Sequence, residues 1–411
     1  MNSYNQSKIK LKNYLPLFIL LSFSGNPFFT VQDFSKPLLV IYTLIFGIYI
    51  FSKIKLKLDR RIVKHISLLI MIIIIIVIAQ YIVLGFVSYL SLGAIIIKIL
   101  LALFTVLFYS SNKIDVLDIY INILSLLVIL SLPFFLINQF GQFGLPTNNI
   151  FLKSIIIFTS TPYNPDYDFT YGIIRNPGMF WEAGAFAGYL LLALVFVAIQ
   201  NKEFIIGNYK REIFWIILGI ITTMSTTGFI ILSILIIFFA MQHFKKGKLI
   251  LIPASIITVL FVYSNFTFMQ SKIEYQFEQA LNMRLGDMSN TRFGSLIMDA
   301  YYIKEHPLIG NGTNINTRYK YNLEVLDDIG NGNGMSNFIA TWGLPLFLIW
   351  SYYVYKFTFN KTNSKSITLG ILIIIFLILQ GEQFLNFPMF LMFFVLPPFV
   401  TTHKQKNNTV L

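Results

Sequence analysis

Residues 175–198 read RNPGMFWEAGAFAGYLLLALVFVA, with Arg175 and Glu182 about two helical turns apart at the mouth of an apolar run. A guanidinium there has the planar fork that suits a pair of phosphate oxygens, and a poorly hydrated setting strengthens the contact. A semi-buried carboxylate such as Glu182 can take a proton from a hydroxyl. The same two residues also suit plain interfacial anchoring, with both charges reaching out to water. The small residues Ala183, Gly184, Ala185, Ala187 and Gly188 that follow allow close helix packing.

Other candidates are spread along the chain. Lys98, inside SLGAIIIKILLALF (91–104), is an ionisable residue within an apolar span; it faces a polar cavity or makes a structural pairing. PYNPDYDFTY (162–171) interleaves Tyr163, Tyr167 and Tyr171 with Asp166 and Asp168, a mixture that suits sugar binding or an interfacial aromatic loop. IKEHPLIGNGTN (303–314) offers His306 as a base or a surface residue, then glycines and asparagines whose backbone can approach a ligand closely. The P-loop, HExxH and GxSxG patterns do not occur.

These residues need a scaffold, and the composition says which kind. The chain has 411 residues, 56% of them hydrophobic and 12% charged, with a mean hydropathy of +0.71. Soluble domains carry roughly a quarter charged residues. The run 68–87 alone is long enough for a hydrocarbon core. An all-α polytopic membrane protein follows, a single membrane domain over 1–411. The absence of cysteine excludes disulfides and thiolate metal sites, and four scattered histidines argue against a metal centre.

Apolar spans are expected near 14–29, 37–52, 66–88, 91–109, 119–139, 179–200, 213–224, 228–242, 249–266, 337–356, 367–381 and 388–402, about 12 in all. The first is read as an anchor, because GNPFF (25–29) makes a poor signal-peptide cleavage site. The segment 213–241 is long enough for one helix, but basic flanks at both ends favour two short, tilted spans turning at STTG (225–228). Lysine and arginine clusters near 8–12, 53–64, 202–211, 245–248, 361–365 and 404–406 all fall on one side if both termini are cytoplasmic. The net charge of +13 is thus a topology signal, and nucleic acid is not implied.

Two large extracytoplasmic loops result, 140–178 and 267–336. In the second, SKIEYQFEQALNMRLG (271–286) opens with a Ser-x-x-Glu capping box and groups Ile273, Phe277, Ala280 and Leu281 on one face. TRFGSLIMDAYYIKEHP (291–307) groups Phe293, Leu296, Ile297, Ala300 and Tyr301, with Arg292, Ser295 and Asp299 opposite, and stops at Pro307. Short amphipathic helices lying over the bundle are expected.

RNPGMFWEAGAFAGYL, then TTMSTTG (222–228), TRFGSLIMDAYYIKEHPLIGNG (291–312) and MSNFIATWGLPLFLIW (335–350), in this order and topology, resemble the O-antigen polymerase and ligase superfamily, the Wzy-type repeat-unit polymerases and their relatives. The likeness covers about 140–356. It implies a metal-independent glycosyltransferase without cofactor, in the bacterial cytoplasmic membrane and facing outward, acting on oligosaccharides carried by undecaprenyl diphosphate. It implies that Arg175 and Arg292 hold the diphosphate, with a chain-length regulator or other polysaccharide-export proteins as further partners. Thr226 and Thr227 stand where ligases typically have an arginine, and Ser336-Asn337 where they have His-Asn. Both departures favour a polymerase over a ligase and leave the base unassigned, with Glu182 a candidate and Asn337 a possible substrate contact. A ligase acting on a lipid or protein acceptor is the first rival. A transporter is the second; it predicts inverted repeats and broken helices at the midplane, and the large outer loop argues against it.

Overall fold

A computed structural model describes residues 11–30, 34–53, 60–86, 89–140, 175–200, 209–243, 253, 267–282, 291–320 and 332–399, and they are helical with no strand among them. Five helices are long and apolar enough to cross a membrane: Ser35–Ser52, Arg60–Leu84, Tyr89–Ser111, Val116–Leu136 and Ala183–Gln200. Leu11–Ser22, Thr226–Phe239 and Lys365–Leu379 are shorter apolar helices. A count of 12 spans is therefore not what the described residues present, and the expected span 249–266 lies almost wholly outside them.

Two expected spans take another form. The stretch 388–402 begins as Pro388–Leu391 and the 3-10 turn Met392–Phe394, and Met389 to Phe394 are wholly buried. Pro388, Pro397 and Pro398 lack the amides a long helix needs, so the segment plugs the bundle interior. The stretch 337–356 divides into Gly334–Trp342 and Leu344–Thr362 at Gly343, whose φ of +85° a side chain would strain.

Ala183–Gln200 is the central helix, buried along all but its last residue. It packs against the helices over 116–140, 210–222, 226–243, 344–362 and 365–379. Its small residues make this possible. A Cβ on Gly188 would fall 2.1 Å from the Phe384 ring, so only glycine lets that ring lie on the helix. Tyr189 then sits among Phe180, Phe384 and Phe390, the first stacked at 4.3 Å. The helix is about 27 Å long at a rise of ~1.5 Å per residue. At its C-terminal end Gln200 donates to Asp118 (2.8 Å), near the Lys361–Asp115 ion pair (2.7 Å).

The expected interruption near 225–228 exists, slightly earlier. Lys210–Thr222 ends and Thr226–His243 begins around Met224, which adopts φ +47°. Thr222 and Thr223 hydroxyls donate back to the carbonyls of Gly219 and Ile220, closing the first helix. The Ser225 hydroxyl accepts from Gly228 N–H and caps the second.

The outer-loop helices are Thr267–Asn282 and Arg292–Glu305. The first starts four residues before the Ser271 capping box. The second starts where expected, with Thr291 as N-cap, but its faces are reversed. Ser295 and Asp299 are fully buried, while Phe293, Leu296 and Tyr301 are 46%, 39% and 38% exposed. Its polar face has buried partners, described next, so docking by that face satisfies more groups. The glycines of 310–312 do approach closely, but to the chain's own backbone: Asn311 and Gly312 N–H donate to the Ala340 and Thr341 carbonyls. Gln80 fixes that junction from the Arg60–Leu84 helix by donating to the carbonyls of Ile309 and Thr341.

Candidate functional site

The RNPG turn docks into the helix interruption. Asn176 N–H donates to the Thr222 carbonyl (3.0 Å), and its side-chain amide donates to Ser131 and Thr222 hydroxyls. Arg175 Nε donates to the Thr223 carbonyl at 3.1 Å. A cation at the C-terminal end of Lys210–Thr222 is favoured by the helix dipole. Arg175 thus joins two chain segments at the interruption, and this anchoring is part of its role.

Glu182 lies immediately before the central helix. Its Oε1, Glu382 Oε1 and Arg292 Nη2 lie 2.8, 2.9 and 3.3 Å from the point where Gly184 would carry a Cβ. Arg292, the first residue of its helix, donates through Nη2 to Glu382 Oε1 and through Nε to the Gly381 carbonyl, both at 3.0 Å. The Glu182 and Glu382 carboxyls are neighbours, their Oε1 atoms flanking the same point above Gly184. Two carboxyls can share a hydrogen bond only if one carries a proton. Burial first, and then the Glu182 charge, push the Glu382 carboxyl well above its ordinary value, with Arg292 pulling the other way. The group is not sealed off, since Arg292 and Glu382 side chains retain 19% and 12% exposure. With the Glu382 carboxyl pushed towards its protonated form, two carboxyls and one guanidinium approach neutrality, and the pair can still accept a proton.

A second centre lies on the same helix face. Asp299, two turns beyond Arg292, is fully buried and pairs with Arg318 Nη2. Ser336 donates to its other oxygen at 2.5 Å. Arg318 Nη2 also donates to Asn337 Oδ1 (3.0 Å), and the guanidinium lies 5.1 and 4.6 Å from the Tyr302 and Tyr319 ring centres. Lys98 reaches the neighbourhood from the Tyr89–Ser111 helix and donates to the Asn386 carbonyl at 2.7 Å. Lys98, Arg318 and Asn337 line one pocket of about 310 Å³.

The segment 380–386 connects the two centres. Gln380 accepts from Asn333 (2.5 Å), Gly381 and Glu382 hold Arg292, and Asn386 holds Lys98.

Of the candidates read from the sequence, Glu182 and Arg292 come together, and Lys98 and Asn337 share the pocket. Arg175 is fixed at the helix interruption. His306 serves as the C-cap of Arg292–Glu305 through its backbone amide. Tyr163, Asp166 and Asp168 lie outside the described residues. Glu382 and Arg318 were not among the candidates. Glu382 carried a signal, an acid at the end of an apolar run; Arg318, in an ordinary polar loop, carried none. Comparison of the chain with protein-family models, characterised proteins and solved structures gives no match.

Proposed function

We propose that the protein is a membrane glycosyltransferase that polymerises lipid-linked oligosaccharide repeats, and that the Glu182–Glu382–Arg292 cluster is its reaction centre. The observation that carries this reading is a pair of neighbouring carboxyls beside an arginine, at the mouth of the most buried apolar helix among the described residues. In the reaction, a hydroxyl of one lipid-linked repeat attacks the anomeric carbon of the growing glycan. The new C–O bond forms as the bond to undecaprenyl diphosphate breaks, and the diphosphate leaves with the electron pair. The hydroxyl proton passes to the Glu182–Glu382 pair, which becomes doubly protonated and later releases it to water. Arg292, with Arg175 at the neighbouring turn, stabilises charge growing on the leaving diphosphate.

Orientation supports the same reading. The cluster is at the N-terminal end of the central helix, and the basic residues Lys210, Arg211, Lys361 and Lys365 belong to the other end. In this cysteine-free chain, Asn316→Cys should react with an impermeant thiol reagent in intact cells, and Lys365→Cys only after the membrane is broken. The reverse pattern overturns the outward-facing site.

The deciding experiment is incubation of the purified full-length protein with a defined undecaprenyl-diphosphate repeat. Glycans lengthened by whole repeats and still lipid-linked are expected. Transfer to a different acceptor would make it a ligase, and no product would remove the enzymatic reading. The interrupted helix pair gives transport some support, because broken helices are common in transporters. Product formation in detergent, where nothing can be transported, decides against it.

A further inference from the structure

We propose that the pocket between the Tyr89–Ser111 helix, the Gly334–Trp342 helix and the 385–391 segment binds an acidic sugar, holding its carboxylate between Lys98 and Arg318. That this sugar belongs to a glycan substrate rests on the polymerase reading; the preference for an oxyanion does not.

Four properties of the pocket lead there. At about 310 Å³ it is at the small end of ligand pockets, which span roughly 300–1,000 Å³. Two cations and no carboxylate line it. Arg318 is 2% exposed, and while Nε and Nη2 have partners, its buried Nη1 makes no hydrogen bond. A buried donor of this kind is ordinarily satisfied, and an oxyanion in the adjoining pocket supplies the acceptor. Lys98 Nζ, one of whose three donors goes to the Asn386 carbonyl, offers a second point of attachment.

Charge and shape narrow the ligand. The two cations that line the pocket, Lys98 and Arg318, together with the Asp299 paired to Arg318 sum to a single positive charge. A monoanionic carboxylate matches this balance better than a diphosphate does. Trp342 and Tyr319 give the walls aromatic surface for the C–H face of a sugar ring, and Thr313 and Asn337 can bond its hydroxyls.

Titration of the purified full-length protein with D-glucuronate, D-glucose and inorganic phosphate, followed by tryptophan fluorescence, tests this. Glucuronate should bind at least about tenfold more tightly than glucose, the worth of one charge-assisted contact. Lys98→Gln keeps a donor but no charge and should bring the ratio near one; Lys98→Arg should retain it. Thr313→Glu, at an exposed position, should weaken glucuronate but not glucose, and serves if Lys98→Gln fails to fold. Equal binding of the two sugars, preferential binding of phosphate, or an unchanged ratio in both Lys98→Gln and Thr313→Glu overturns the proposal. Polymerisation of the lipid-linked repeat is measured separately. Polymerisation without glucuronate preference removes the pocket and spares the function, whereas the preference without polymerisation does the reverse.

Discussion

One helix face feeds two buried ionic centres of opposite character. Arg292 pairs with Glu382 while Glu182 lies beside them, so acid is in surplus and the Glu382 carboxyl is pushed towards its protonated form. Seven residues on, Asp299 meets Arg318 near Lys98, so cation is in surplus. The first keeps some exposure at both partners; in the second the pair is almost completely enclosed. A surplus of carboxyl suits moving a proton, and a surplus of cation suits holding an anion. The contrast teaches that burial of charge alone does not identify a reaction centre. On the proposed reading, the two centres differ in the sign of what remains uncompensated.

The largest expected effect comes from removing the acid surplus. Glu182→Gln with Glu382→Gln keeps the hydrogen-bonding shape but leaves no group able to take the acceptor proton. Turnover should drop by about 10²–10⁴, the usual range for general-base catalysis, with donor affinity nearly unchanged in a binding assay. Wild-type turnover in the double variant would reduce the cluster to a structural ion pair.

Removing each arginine should separate the centres next. Arg318→Ala leaves Asp299 buried without its counter-charge and should destabilise the fold by about 3–5 kcal/mol, measured by chemical denaturation in detergent. Arg292→Ala acts where some solvent reaches, so its main expected effect is on rate, roughly a hundredfold, with a smaller loss of stability. If Arg292→Ala unfolds the protein and Arg318→Ala only slows it, the roles are assigned the wrong way round.

These assignments were unequally legible in the sequence. Glu182 is legible because charge is costly beside an apolar run, and Arg292 through its place on a polar helix face and the family resemblance. The interruption, read at 225–228 and found around Met224, is legible because the 213–241 segment has basic flanks at both ends. Glu382 lies 200 residues from Glu182, and sequence spacing says nothing about which span ends meet. Arg318 in NINTRYK looks like any exposed loop residue. The reversed face of Arg292–Glu305 has a different cause. Reading an apolar stripe as the buried side assumes that water lies outside and that the polar groups lack partners inside. Asp299 and Ser295 have such partners in Arg318, Ser336 and Gly332, which a sequence pattern cannot bring near. The plug at 389–394 was read as part of a span because hydropathy counts apolar residues without registering that prolines flank them.

A smaller effect should come from the glycine beneath the carboxyl pair. A Cβ at Gly184 would sit 2.8 and 2.9 Å from the Glu182 and Glu382 oxygens. Those are the far ends of flexible side chains, so Gly184→Ala should shift them at little cost to stability. Turnover should nevertheless fall about tenfold, since misplacement of reacting groups by a fraction of an ångström is enough for that. Gly188→Ala is the control: its methyl would strike the Phe384 ring, and overpacking of this kind typically costs about 1–3 kcal/mol. An activity loss in Gly188→Ala with full activity in Gly184→Ala would mean that ring packing, and not the carboxyl pair, governs the reaction.

The smallest effect is on the pH dependence of stability, and its sign is fixed by the acid surplus. Burial and the neighbouring Glu182 raise the Glu382 carboxyl above its ordinary value of 4.5. As pH rises past that value, the unfolded chain releases this proton while the folded protein retains it. Between the ordinary and the raised folded value the native state binds more protons than the unfolded one, so stability contributed by the protonated carboxyl is lost as pH rises. Glu382→Gln cannot titrate and still offers Arg292 an acceptor oxygen. Its stability relative to wild type should therefore improve on going from pH 4.5 towards neutrality, by at most about 1.4 kcal/mol per pH unit. Denaturant titrations of both proteins across that range measure it directly. The opposite slope would mean that Arg292 outweighs burial and holds both carboxyls ionised. The cluster would then have no retained proton, and its contrast with the Asp299–Arg318 centre would be one of exposure alone.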